Sequence, residues 1–435
     1  MVVGMSRIGS NQIAWYLSSL HGSPPLSRIP TWCPASIHFV NSTKYMVFKN
    51  TKTERGFQLQ CGTSDSAIMS GPGKRKKEMD GQRIVGNEVY ALIICVSILL
   101  FAPIVVSQPI PTDKSQVEAW FNDIIKLVKE RGKSLDPELW GWRIQYHNQS
   151  HRAKHVIISI GPGSYKVKIK IEGNKPFITL VGDPKNMTNF TFDGTAKQHG
   201  TIDSATLISE SSYFVGANLN IVNTAPRPDR KLEGAQAVAS RVSGDRSAFY
   251  NCKIIGFQDT LCDDRGNHFF KDFHIRGTVD FIFGSGTSLY LKSGMHNSKI
   301  FMERDPEGDP KSAVITAQAR ESSSEDTGYS FVHGRITGAA KDLFLGRAWM
   351  SCPRVVYYYT EMDEIVHPSG WSSNCQPERA DTVYYGEYKC TGKGVTPATR
   401  EKLVKQLSYA DAQPFLVLDY VEGTKWLLPP PTIPK

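Results

Sequence analysis

Residues 249–259 and 270–280 of this 435-residue chain run in step: Phe249 answers Phe270, Ile254 answers Ile275, Gly256 answers Gly277 and Asp259 answers Asp280, always 21 residues apart. Such a period is about one coil of a β-solenoid, in which a residue stacks on its counterpart at roughly 4.8 Å. Phe331, Ile336 and Gly338 repeat the frame, and Phe214 with Leu219 repeats it in part. Four copies predict inward stacks on successive coils. Asp259 and Asp280 then share one site, where like charges cannot both ionise readily, so one acid's pKa rises while the other stays a carboxylate. A hydrolase divides labour in that way.

The remaining pattern suits an all-β solenoid with few helices. Short β-rich runs at 155–160, 165–171, 177–181, 213–222, 312–316 and 354–359 are broken by Gly, Asn, Asp and Pro. Helical spacing of Val117, Trp120, Phe121, Ile124, Leu127 and Val128 predicts a helix over 115–131, stopped by Gly132. A second, short helix is expected within 393–406, and an extended tail at the end.

Net charge is +9, but residues 1–107 hold 11 Lys and Arg against 5 Asp and Glu, leaving 40 against 37 in the rest. That near-balance lacks the footprint of a nucleic-acid binder. The apolar run 89–106 ends in a small-residue cleavage pattern, which reads as a secretory signal peptide over 79–107; a membrane anchor is the alternative. Residues 1–78 read as a disordered or mispredicted extension, 108–154 as helix and linker, and 155–435 as the solenoid domain. Sequons at Asn148, Asn186 and Asn189 fit a secreted glycoprotein.

Eight cysteines include no C-x-x-C pair, and there is no H-E-x-x-H helix, so no metal site is expected. With no G-x-S-x-G elbow, Walker loop or dinucleotide fingerprint, the carboxylate pair is the constellation that carries chemistry. Gln236 and Gln258, about one coil apart, offer neutral amides for an oxyanion. Arg347 can form a bidentate pair with one carboxylate and keep it ionised. Trp349 and Trp371 offer flat faces for sugar rings. From the residues alone, either aspartate can be the attacking one, and both also suit plain turns.

At these positions the chain closely resembles the plant pectinesterases (pectin methylesterases). The matching segments are Gly234-Ala-Gln-Ala-Val-Ala239, Gly256-Phe-Gln-Asp-Thr-Leu261, Gly277-Thr-Val-Asp-Phe-Ile-Phe-Gly284, Ile315-Thr-Ala-Gln-Ala-Arg320, Leu345-Gly-Arg-Ala-Trp349, Asp411-Ala-Gln-Pro-Phe-Leu416 and Trp426-Leu-Leu428. The resemblance implies a right-handed parallel β-helix that cleaves galacturonate methyl esters in homogalacturonan without cofactor, as a secreted cell-wall enzyme. It implies Asp280 as nucleophile, Asp259 as acid then base, Gln236 and Gln258 at the oxyanion, Arg347 orienting Asp280 and Trp349 on the sugar. A proteinaceous inhibitor is an implied partner; the chain is expected to be a monomer without an inhibitor-like pro-region.

The chain departs from its relatives in several places. Ala348 replaces a common proline, which should loosen that loop; Val167 replaces a glutamate; Phe273 and Gly334 stand where the family has cysteines. The family's opening strand-and-helix motif is missing before Val156, which predicts an incomplete first coil with an exposed sheet edge. A glycoside hydrolase or lyase, and a non-catalytic pectin-binding relative, are the competing readings.

Overall fold

A computed structural model of the chain describes residues 108–134, 155–226, 233–295, 313–338 and 342–431. The expectations for 1–107, for the linker beyond 134 and for Asn148 fall outside the described residues. Among those described, no helix is long and apolar enough to cross a membrane.

The chain winds as a right-handed parallel β-helix, and each coil gives one short strand to each of three parallel sheets of ten, eight and eight strands. The first sheet runs from Val156–Ser159 to Val404–Gln406, the second from Ser164–Lys166 to Glu361–Met362, the third from Ile169–Ile171 to Trp371–Ser372. The predicted stacking is present: Phe249 pairs with Phe270 and Ile254 with Ile275. Inside the first sheet the rings of Phe249, Phe270, Tyr290, Phe331 and Tyr357 stack at 5.3, 4.5, 4.5 and 4.7 Å between neighbouring centroids. Each such contact adds about 0.5–1.5 kcal/mol beyond the burial itself.

Single left-handed residues make the corner between first and second sheets, at Asn218, Asn251, Asp272, Lys292, His333, Tyr359 and Lys389. This corner splits the predicted run 213–222 into Val215–Ala217 and Leu219–Asn223, while the corner between the second and third sheets splits 165–171 into Ser164–Lys166 and Ile169–Ile171. Phe214 and Leu219 also miss the predicted frame by two residues, because Gly216 pairs with Phe249 and Ile221 with Ile254. A two-residue slip preserves the face, so both remain in the core. Gly216 is opposite Phe249 for a steric reason: a Cβ there would lie 2.9 Å from the ring. Gly216→Ala is therefore expected to cost about 1–3 kcal/mol by overpacking, read as a lower denaturant midpoint; an unchanged midpoint would contradict this packing.

The helix Val117–Ser134 runs past Gly132 and follows a 3-10 turn at Lys114–Gln116. Val117, Trp120, Phe121, Ile124, Ile125 and Val128 are buried, while Leu127 is exposed. Together with Phe415, Leu416 and Trp426 this face covers the outside of the first sheet, where Phe121 stacks on Phe269 at 5.6 Å and Glu118 takes a 2.8 Å bond from buried Lys271. With both faces covered, the first-sheet strands from Ser247 to Tyr388 are almost wholly buried. The helix expected within 393–406 is instead a 3-10 turn, Pro397–Thr399, and a closing strand, Val404–Gln406.

All three strands of the first described coil are present, and Val167 packs against the core from the corner between them. Its leading strand leaves Val156, Ile157 and Ile158 exposed. The five described cysteines are free thiols. Phe273, in place of a cysteine, fills the core against Phe249, Phe270 and Tyr290.

Candidate active site

Asp259 and Asp280 lead into successive strands of the third sheet, Leu261–Asp263 and Ile282–Gly284, which pair Leu261 with Ile282. A parallel bridge joins Gln258 to Val279, and the Asp259 N–H donates to the Val279 carbonyl at 3.0 Å. The two acids are therefore neighbours one coil apart. Both adopt left-handed backbone, with φ of +60° and +47°, a conformation that aspartate tolerates better than bulky or β-branched residues do.

Strand alternation builds the floor of the site. Leu261, Ile282 and Leu345 face the core, while Cys262, Phe283 and Ala317 form a separate apolar cluster on the opposite face, with Trp349 packed against it. Arg347 ends the strand Leu343–Arg347. It reaches Asp280 in a two-pronged pair, Nε to Oδ1 at 2.8 Å and Nη2 to Oδ2 at 2.7 Å. Its third nitrogen donates to Asn374 Oδ1 at 3.2 Å, and the guanidinium carbon is 5.9 Å from the Trp349 ring centre. Phe283 meets Trp349 edge-on at 6.3 Å.

The electrostatics separate the two acids. Burial opposes the charge on Arg347, but its bond to Asp280 and the Asp280 charge outweigh that and raise its pKa, so the cation is permanent. Asp280, 8% exposed, has this cation as its ion-pair partner. Asp259 makes no such pair. Burial, then the nearby Asp280 charge, push its carboxyl up to about 7 against the pull of Arg347. Burial and then the Asp264 charge also push the Cys262 thiol well above its ordinary value, which leaves it without thiolate character.

A carboxyl held near 7 in the folded chain and near 4 when unfolded favours the folded state fully only below about pH 4; that contribution is lost as pH rises to 7. Asp259→Asn keeps the left-handed turn and removes the charge. It should stabilise the fold at pH 8 by about 2 kcal/mol, allowing for partial solvent access, with little gain at pH 4. Thermal midpoints at the two pH values check this; an equal gain at both would contradict it.

Gln236 and Gln258 are half-buried beside the acids. The strict register sets Ala237 against Gln258, whose carbonyl receives the Ala237 N–H at 3.2 Å, so Gln236 is one residue out of step. Among the described residues neither side-chain amide has a protein partner. Trp371 does not belong to the site: it is fully buried, stacked on Tyr385 at 4.2 Å, and donates to Glu387. Nor is the loop after Arg347 loosened by Ala348, whose N–H donates to the Ser372 carbonyl at 2.9 Å, a bond proline cannot make. Phe283 was legible as the outward residue of its strand, but Asn374, 27 residues from Arg347, left no local signal.

This fold and site define a class: parallel β-helix proteins with a carboxylate pair, one member clamped by arginine, on an outer sheet face. The family model described as Pectinesterase matches residues 144–424, a span that takes in the stretch where the opening motif was missed. Pectinesterase 1 of Olea europaea and the pectinesterase of Parthenium hysterophorus are each 47% identical over 362 residues, covering 78% of this chain and 96% of theirs. The solved pectin methylesterase from carrot superposes with a TM-score of 0.54 at 29% identity, over 63% of this chain and 86% of its own. That from Aspergillus niger gives 0.52 at 25% identity, over 62% and 87%. The chain belongs to the pectinesterase family.

Proposed function

We propose that the protein is a secreted pectin methylesterase, a carboxylic ester hydrolase that removes methyl groups from galacturonate units of homogalacturonan in the cell wall. The observation that carries this is the asymmetry of the acids: Asp280 clamped by Arg347, Asp259 unclamped with its carboxyl near 7.

A carboxylate oxygen of Asp280 attacks the ester carbonyl, and Gln236 and Gln258 donate to the oxyanion that develops. As that intermediate collapses, the Asp259 proton passes to the methoxy oxygen, the carbon–oxygen bond breaks and methanol leaves. Asp259, now ionised, takes a proton from water; the hydroxyl adds to the acyl carbon, the bond to Asp280 breaks, and both acids return to their starting states. Arg347 orients Asp280, and Trp349 offers its ring to the sugar. Every proton is held by a side chain, so the cycle calls for no cofactor.

The remaining expectations belong to this reading: a signal sequence over 79–107 ahead of a mature start at Gln108, a monomeric solenoid domain over 155–435, and homogalacturonan, with a proteinaceous inhibitor, as partner in place of nucleic acid. The exposed loop position of Asn186 favours glycosylation there, whereas the Asn189 amide donates to Ser164. The test is methanol release from methyl-esterified pectin at unchanged polymer length, lost in Asp259→Ala and Asp280→Ala proteins that still fold. Folded wild-type protein releasing no more methanol than these variants would sink the proposal, and polymer shortening would point to a glycosidase or lyase.

A further inference from the structure

The segment 373–382 lies beyond the family-like motifs singled out in the sequence, yet it touches the loop carrying Arg347 and Trp349 at four points. Asn374 Oδ1 accepts from Arg347 Nη1 at 3.2 Å. Arg379 Nη1 donates to the carbonyls of both Ala348 and Trp349, at 2.5 Å each. Thr382 Oγ1 donates to the Ser351 carbonyl. The loop thus has partners for its side chain at 347 and its backbone at 348, 349 and 351, all from one neighbouring stretch.

The local backbone is shaped for this contact. Asn374 and Cys375 are consecutive left-handed residues, with φ of +59° and +58°. Asparagine visits that region readily and cysteine does not, so such a pair persists only where surrounding bonds hold it. The Asn374 N–H donates to Ser372 Oγ at 3.1 Å, while the Ser372 carbonyl receives the Ala348 N–H. The strand Trp371–Ser372 that launches the turn pairs directly with Gly346 and Arg347. Residue 348 can therefore be alanine without loss of order.

We infer that the segment 373–382 is a brace for the reaction, in which Asn374 is a positioning residue for Arg347 and Arg379 a positioning residue for Trp349. The inference rests on the ester-cleaving assignment for its kinetic consequences, but the brace is a physical claim that hydrogen exchange tests without turnover. Asn374 completes the hold on the cation that clamps Asp280, so its loss lowers turnover. Arg379 fixes the backbone beneath the ring that meets the sugar, so its loss weakens substrate capture.

The experiment compares wild type with Asn374→Gly, Asn374→Asp, Arg379→Ala and Arg379→Lys in the full chain. Glycine accepts the left-handed backbone, so Asn374→Gly removes the amide without adding strain. It should lower kcat roughly tenfold with KM nearly unchanged, and Asn374→Asp, which keeps an acceptor, should recover most of that. Arg379→Ala should raise KM roughly tenfold with kcat nearly unchanged, and Arg379→Lys should recover part of it. Deuterium uptake across 343–352 should rise in Asn374→Gly and Arg379→Ala and stay at the wild-type level elsewhere. Wild-type uptake there in both variants overturns the brace, whatever the activity; increased uptake with kcat and KM unmoved overturns its role in the reaction. If wild type itself releases no methanol, the ester-cleaving assignment fails and the uptake result alone decides the brace.

Discussion

Asp280→Asn protein is expected to release methanol at least ~10⁴-fold more slowly than wild type, because the proposed mechanism draws its attacking oxygen from the Asp280 carboxylate and an amide cannot supply it. Asparagine fits the left-handed backbone at 280, so the loss should come without unfolding. The neighbouring free thiol, Cys262, has its pKa pushed well above the ordinary value and is no substitute nucleophile. Asp259→Asn should cost less, about 10²–10⁴-fold, since it removes proton transfer and leaves the nucleophile.

The two variants also differ in pH dependence. In the proposed mechanism Asp259 gives its proton to the departing methanol, so with its carboxyl near 7 the wild-type kcat/KM should fall tenfold per pH unit above about 7. That limb should vanish in Asp259→Asn, whose residual rate has no proton to lose there. Initial rates of methanol release from pH 4 to 9 measure both effects; an Asp280→Asn protein keeping more than about 1% of wild-type turnover would move the nucleophile elsewhere.

The second large effect lies away from the reacting atoms, at Glu387 and Arg400. Both side chains are 2% exposed and form a two-pronged pair at 2.8 and 3.1 Å. Glu387 also accepts from the Trp371 indole at 3.0 Å, and Arg400 donates to the carbonyls of His367, Pro368 and Gly394. Removing one partner strands a buried charge, so Arg400→Met should destabilise the fold by about 3–5 kcal/mol. Glu387→Gln, which keeps an acceptor, should cost about 1–3 kcal/mol. The double replacement Glu387→Leu with Arg400→Met should recover much of the single-variant loss, because replacing both charges removes the desolvation cost as well as the attraction. Urea unfolding followed by tryptophan fluorescence reads all three. A double variant as unstable as Arg400→Met would mean that packing, not charge, dominates. The pair also bears on the site, since Trp371 begins the strand that hydrogen-bonds to Arg347.

The register near the site was legible because its coils are nearly equal in length: Phe249 pairs with Phe270, and Phe270 with Tyr290 one residue short of the same interval. Where coils lengthen the period fails, as between Tyr290 and Phe331 or between Phe214 and Phe249, whose true partner is Gly216. A residue without a side chain leaves no mark in an apolar pattern, although its emptiness is what admits the ring. Trp371 misled for a related reason: an indole reads alike on a sugar-binding surface and in a core, and only its burial, its stack on Tyr385 and its bond to buried Glu387 place it in the core.

By itself the sequence determined the 21-residue interval at the site, the stacking of Asp259 on Asp280, and the presence nearby of an amide pair, an arginine and an aromatic, because stacked coils turn spacing along the chain into proximity. Tertiary structure decided the two-pronged geometry by which Arg347 holds Asp280, the pairing the family resemblance implied, and the burial that leaves Asp259 protonatable near 7. It also decided that Asn374 and Arg379 hold the arginine's loop and that Trp371 lies in the core. Those outcomes depend on which side chains meet across coils of unequal length, and on how much water the surrounding atoms exclude. Neither quantity has a period to read.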